Sequence, residues 1–204
     1  MMKSSKIISL LYHPLMMPLY FLILFFTTME FPRLQTAGMF YFLVFIFFSM
    51  TLLPGFSLVV ASKMGLVKNI WMPSKRDSRV ILLLLTVFYA FIFKIWFDKM
   101  PDLFYLYIFG NFVFLLLILF IFNFFYRLDW YTIFWGSLLG FYIVLLNMGA
   151  KFSVTAVAVI ILSAGLVAVI RQNMECGRQN SRLYISFFVG LFITLGIGKY
   201  VLTF

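Results

Sequence analysis

Apolar residues fall in long unbroken blocks, and the charged residues gather at the short joints between them. Crossing roughly 30 Å of hydrocarbon takes about 20 largely apolar residues at about 1.5 Å of helical rise each. Seven blocks meet that requirement: Ile7 to Met29, Leu34 to Ser62, Val80 to Phe97, Leu103 to Tyr126, Trp130 to Ala150, Phe152 to Ile170 and Leu183 to Phe204. Barrel strands would put a polar residue at every second position, and the run from Phe112 to Phe122 has none, so the blocks predict helices.

Each joint carries charge, proline or glycine. In order they are Glu30 to Arg33, Lys63 to Arg79, Asp98 to Asp102, Arg127 to Asp129, Gly149 to Lys151 and Arg171 to Arg182. Joints this short leave no room for a soluble insertion. The prediction is an all-α polytopic integral membrane helical bundle of about seven transmembrane helices, forming a single transmembrane domain over residues 1–204 with neighbouring helices antiparallel. Lys3 and Lys6 precede an apolar run as in a signal peptide, but no small-x-small cleavage site follows and Pro14 and Pro18 interrupt it. The run is therefore read as a retained first helix.

Composition agrees with the pattern. Hydrophobic residues make up 65% of the 204 positions and charged residues 11%, too little polar surface to solvate a core of this size in water. The lone cysteine, Cys176, excludes an internal disulfide. Trp71, Trp96, Trp130 and Trp135 lie near predicted helix ends, as an interfacial aromatic belt requires. Phenylalanine and methionine read as membrane packing, not as a cofactor box.

A net charge of +10 in a soluble chain would point to nucleic acid; here it is divided by side of the membrane. Seven crossings put eleven basic and three acidic residues on the N-terminal face, and five basic and three acidic on the other. The bias of basic residues toward short inner loops predicts a cytoplasmic N-terminus. The same segregation has a second explanation, because guanidinium forks match phosphate oxygens. Arg127, Arg171, Arg178 and Arg182 can all reach that face, and Arg76 and Arg79 stand just before the third helix. Anchoring to anionic headgroups, at about 1 kcal/mol per basic residue, stays open beside a specific site.

Within the spans, Asn111, Asn123 and Asn147 would be costly in lipid and are expected to face other helices and hydrogen-bond there. Lys94 is near enough to a helix end to snorkel. Gly136-x-x-x-Gly140 allows a close helix contact, inside the bundle or across a homo-oligomer. One histidine, one cysteine and six scattered acids form no metal site, and no cofactor is implied. Asp77 and Asp129 read as counter-charges to nearby arginines, and His13 beside Pro14 as a capping or interfacial side chain.

Two stretches carry a resemblance. One is Tyr126-Arg127-Leu128-Asp129-Trp130-Tyr131 leading into Gly136-Ser137-Leu138-Leu139-Gly140; the other is Ile170-Arg171 through Arg182-Leu183-Tyr184, followed by Gly190. Their order resembles the type 2 phosphatidic acid phosphatase superfamily over the C-terminal half. Leu53-Pro54-Gly55, Gly65-Leu66, Met72 and Arg76-x-x-Arg79 resemble its small bacterial membrane relatives. In that superfamily one histidine attacks the phosphoryl group, a second assists proton transfer, and basic side chains hold the charge. This chain departs from it: its one histidine, His13, lies in the first helix. Tyr131 or a near neighbour stands where the first family histidine would fall, and Gly177 or a near neighbour where the second would. Tyrosine, with an ordinary pKa of about 10, and glycine do not replace imidazole.

The resemblance therefore implies a phosphatase-like protein degenerate in catalysis. It would bind a lipid or polyprenyl phosphate headgroup through Arg127, Arg171, Arg178 and Arg182, with Arg76, Arg79 and Tyr131 as further anion contacts. Its partners would be membrane lipids, anionic or phosphorylated, and not nucleic acid, and the likeness to small bacterial relatives implies a bacterial inner membrane. Two alternatives stay open: an accessory or structural subunit of a larger membrane complex, and an active lipid phosphatase with an unrecognised nucleophile.

Overall fold

The computed structural model of the chain describes residues 12–28, 36–70, 73–99, 103–126, 128–174 and 180–202. Among them lie seven helices and no strands. They are α1 (Pro14–Thr28), α2 (residues 36–63), α3 (Lys75–Lys99), α4 (Leu103–Phe125), α5 (Trp130–Asn147), α6 (Val154–Met174) and α7 (Asn180–Leu202). The last six are long and apolar enough to cross a membrane, so the fold is that of an all-α polytopic membrane bundle. Within the described residues α1 is shorter, and its expected start at Ile7 lies outside them.

Helix ends differ from the apolar blocks because caps, not hydropathy, set them. α3 starts at Lys75, ahead of the block, since the Ser74 hydroxyl accepts from the Asp77 N–H at 3.1 Å. The Asp77 carboxyl in turn accepts from the backbone amides of Lys68, Asn69 and Ser74. The expectation that Asp77 serves as an arginine's counter-charge is thus replaced by a loop-closing role. α5 stops at Asn147, short of Ala150, because Gly149 turns left-handed at φ 90° and the Ala150 N–H returns to the Leu145 carbonyl at 3.0 Å.

α2 runs through a π-helical stretch, Phe47–Leu52, just before Pro54. Proline has no N–H to give the carbonyl four residues back, at Met50, and such an orphan is costly in a membrane. The Tyr89 hydroxyl of α3 donates to it at 2.5 Å, and the Thr51 hydroxyl donates to the Leu15 carbonyl of α1 at 2.9 Å. α3 thereby supplies the bond that α2 cannot make for itself, and α2 in turn satisfies a carbonyl of α1.

α5 is the central helix, enclosed chiefly by α7, with α1 and α6 also against it. Small residues make this possible: Gly136 and Gly140 meet Phe187 and Leu191 of α7, and Gly190 meets Ile133. The Gly136-x-x-x-Gly140 motif is therefore used inside the bundle. Beside it Asn111 of α4 donates to the Ser137 hydroxyl at 3.1 Å, Ser137 and Thr194 share a bond of 2.6 Å, and the Thr194 hydroxyl returns to the Asn111 carbonyl at 3.2 Å. This closed ring satisfies every member without water. Asn111→Leu should destabilise the protein by about 1 kcal/mol, the usual worth of an interhelical polar contact in a membrane. Its unfolding midpoint in detergent is the check, and an unchanged midpoint would show the ring to be energetically idle.

Other intramembrane expectations need correction. Asn147 is exposed at the end of α5, where the chain leaves the span, and Asn123 is buried without a hydrogen-bond partner among the described residues. Trp130 and Trp135 are buried inside the protein and do not form a lipid-facing belt, because neighbouring helices cover most of α5. Trp71 and the side chain of Trp96 lie outside the described residues. Lys94 pairs with Asp98 at 2.8 Å, one turn along an exposed face of α3. Outward-facing positions such as Phe40, Phe48, Phe91, Leu162 and Phe192 are large and apolar, as a lipid solvent allows.

Candidate anion-binding site

Antiparallel succession brings the start of α1, the start of α3, the end of α4, the start of α5, the end of α6 and the start of α7 to one end of the bundle. Asp129 organises it. Its backbone sits just before α5 in an extended conformation, and its Oδ2 accepts from the Thr132 N–H at 2.9 Å, so it is the N-cap. The Asp129 N–H donates to the Ser186 hydroxyl at 2.8 Å, and Ser186 donates to the Arg182 carbonyl at 2.7 Å. These bonds tie the first turn of α5 to α7.

The other carboxylate oxygen, Oδ1, accepts from Arg171 Nε at 2.9 Å in an ion pair whose side chains are 5% and 0% exposed. Arg171 lies in the last turn of α6, where the helix dipole also favours a cation. Its guanidinium lies over the Tyr131 ring, 4.7 Å from the centroid, and His13 packs edge-on against Tyr131 and Trp130. His13 Nδ1 caps the first turn of α1 by accepting from the Leu15 N–H at 3.3 Å. The one histidine of the chain is thus a buried capping residue in an aromatic shell.

Against this pair lies a small cavity of about 10 Å³, room for one water-sized sphere. Ser78, Asn123, Asp129, Trp130, Arg171 and Arg182 contribute to its wall. Asn123 is 2% exposed, and neither its amide nitrogen nor its oxygen has a hydrogen-bond partner among the described residues. A buried, unsatisfied amide costs about 1–3 kcal/mol, so this side chain is a feature that needs an occupant.

Of the sequence-predicted residues, Arg171 and Arg182 are brought together. Tyr131 lies beneath the Arg171 guanidinium, buried, so its ring supports the cation and does not meet the aqueous phase. Arg79 is half-buried over the Phe124 ring at 4.5 Å. Arg76 is exposed in a separate pocket of about 420 Å³ with Lys68, Asn69 and Asp77. Arg127, Cys176, Gly177 and Arg178 lie outside the described residues. Asp129 is a counter-charge as expected, with its arginine on another helix 42 positions away. Asn123, Ser78 and Trp130 are not among the residues expected at the site; the signal for Asn123 is its polarity inside an apolar block, Trp130 reads as a belt residue in the stretch that carries the resemblance, and Ser78 gives none. No family model, curated protein or solved structure matches the chain.

Proposed function

We propose that this protein binds the phosphate of a membrane lipid at its basic end and does not hydrolyse it. The observation that carries the proposal is the polar cavity lined by Arg171, Arg182 and Asn123, whose amide has no hydrogen-bond partner among the described residues. It admits one oxygen, with the remainder of the phosphate at the interface beside the guanidinium of Arg182, which is half-buried. Absence of turnover follows from the chemistry within reach. The only imidazole is committed to capping α1, and the Asp129 carboxylate is occupied by Arg171 and Thr132. The resemblance to type 2 phosphatidic acid phosphatases supports the ligand class. On the bias of basic residues we place this end at the cytoplasmic face of the membrane, and on the resemblance to small bacterial relatives we take that membrane to be a bacterial inner membrane.

The test is thermal stabilisation of the detergent-solubilised full chain by dioleoyl phosphatidic acid against dioleoyl phosphatidylcholine. Phosphatidic acid should stabilise more, Arg182→Glu should weaken its binding about tenfold, and Asn123→Leu should weaken it to a similar degree. No phosphate should be released over the incubation. Equal stabilisation by both lipids would overturn the binding proposal and favour an accessory subunit whose arginines only hold the helices together. Released inorganic phosphate would overturn the non-hydrolytic part.

A further inference from the structure

A second cavity, of about 660 Å³, lies between α1, α5 and α6. Its size is within the ~300–1,000 Å³ of ligand sites and well above the ~150 Å³ that holds a benzene in an apolar protein cavity. Leu24, Trp135, Leu138 and Ile160 form a buried floor, whereas Ile23 and Val159 stand exposed at the rim. α5 and α6 are long and apolar enough to cross the bilayer and the shorter apolar α1 lies beside them, so the rim faces lipid and the cleft is open to it sideways. At the far end the Lys151 N–H donates to the Thr28 carbonyl at 3.0 Å, joining the chain before α6 to the end of α1 and closing the cleft there.

The near end points back to the arginines. Tyr131, beneath Arg171, and Trp135, in the cleft floor, are four residues apart on α5, about 6 Å along its axis. Tyr12 packs on Trp135 at 5.4 Å and adjoins His13, which packs on Tyr131 at 5.5 Å. Trp135 is 4% exposed, and its indole N–H has no hydrogen-bond partner among the described residues. Below the phosphate, at this depth, a glycerophospholipid carries an ester carbonyl and then hydrocarbon; a polyprenyl phosphate carries hydrocarbon alone.

We infer that the cleft between α1, α5 and α6 holds an acyl chain of a glycerophospholipid whose phosphate is at the basic end, with an ester carbonyl accepting from Trp135. This rests on the reading of the basic end as a phosphate site, and it selects between the two lipid classes that share that chemistry. Along α1 the cleft wall extends from Tyr20 to Thr28, about 12 Å at the helical rise, so a chain segment lies in it lengthwise.

Tryptophan quenching tests the inference. The full chain is reconstituted in phosphatidylcholine vesicles containing a small fraction of either phosphatidic acid or phosphatidylcholine with dibrominated acyl chains. The share of quenching due to Trp135 is read as the difference from Trp135→Phe. That share should be large with brominated phosphatidic acid, small with brominated phosphatidylcholine at the same fraction, and lost in Ala156→Phe, which fills the cleft from α6. The unsubstituted chain supplies the decisive comparison even if a cleft-filling variant fails to fold. Absence of Trp135 quenching by either lipid overturns the inference while leaving stabilisation by phosphatidic acid as evidence for the headgroup site. Equal quenching by both, together with equal stabilisation, overturns the headgroup site itself and the inference with it.

Discussion

Gly190→Ala should destabilise the bundle by about 3 kcal/mol or more, the upper range for overpacking a tight interface, although alanine is the better helix former. A Cβ at this position would overlap the Ile133 carbonyl oxygen of α5 and lie 2.8 Å from the carbonyl carbon and 3.0 Å from the Ser137 nitrogen. These are backbone atoms within the first two turns of α5, so no rotamer change can yield; α5 and α7 must move apart. Gly136→Ala should behave alike, since its Cβ would overlap the Phe187 carbonyl oxygen. Separation would also open the Ser137–Thr194 bond at the same crossing. Gly165→Ala on α6 meets nothing within 4 Å and should be neutral or stabilising by up to about 1 kcal/mol. Unfolding midpoints in detergent decide the matter: equal midpoints for Gly190→Ala and Gly165→Ala would mean that α5 and α7 do not cross this closely.

That contrast also shows what the sequence carries and what it does not. Hydropathy gives the seven helices and their approximate ends, six of them long enough to cross, because crossing hydrocarbon is a demand on length and polarity alone. It does not give azimuth. Trp130 and Trp135 lie near a helix end, as a belt would, yet both are inside because α5 is surrounded. Gly165 and Gly190 look alike in sequence, and only packing separates the one in open space from the one under a carbonyl. Similarly, Asp129 reads as an arginine's counter-charge from its neighbourhood, but which arginine depends on how α6 sits against α5. The basic end was legible as a collection of cations on one face. Its polar cavity was not, since Ser78, Asn123 and Trp130 come from three helices whose faces no periodicity in these nearly all-apolar blocks reveals. The same holds for the lipid-sized cleft, which exists because α1 and α6 both contact α5 while leaving space between themselves.

The Asp129–Arg171 pair gives the second large effect. Asp129→Asn should cost about 3–5 kcal/mol, the usual penalty for removing one partner from a buried ion pair. Asparagine is nearly as good an N-cap as aspartate, so the bond to the Thr132 N–H survives and the loss reports the charge. What remains is a buried guanidinium over the Tyr131 ring, which has no neutral form to adopt. Arg171→Met should cost less, because the carboxylate left behind keeps the Thr132 N–H and hydroxyl as donors. Combining the two substitutions removes both charges and should recover much of the loss, because a neutral pair of similar volume owes no desolvation penalty. Single and double variants compared by denaturant unfolding in detergent form a double-mutant cycle with an expected coupling above about 1 kcal/mol, as for residues in direct contact. Additive losses would mean that the two side chains act separately. In that event Arg171 is not neutralised within the protein, and its charge is fully available to the phosphate that Arg182 is proposed to hold.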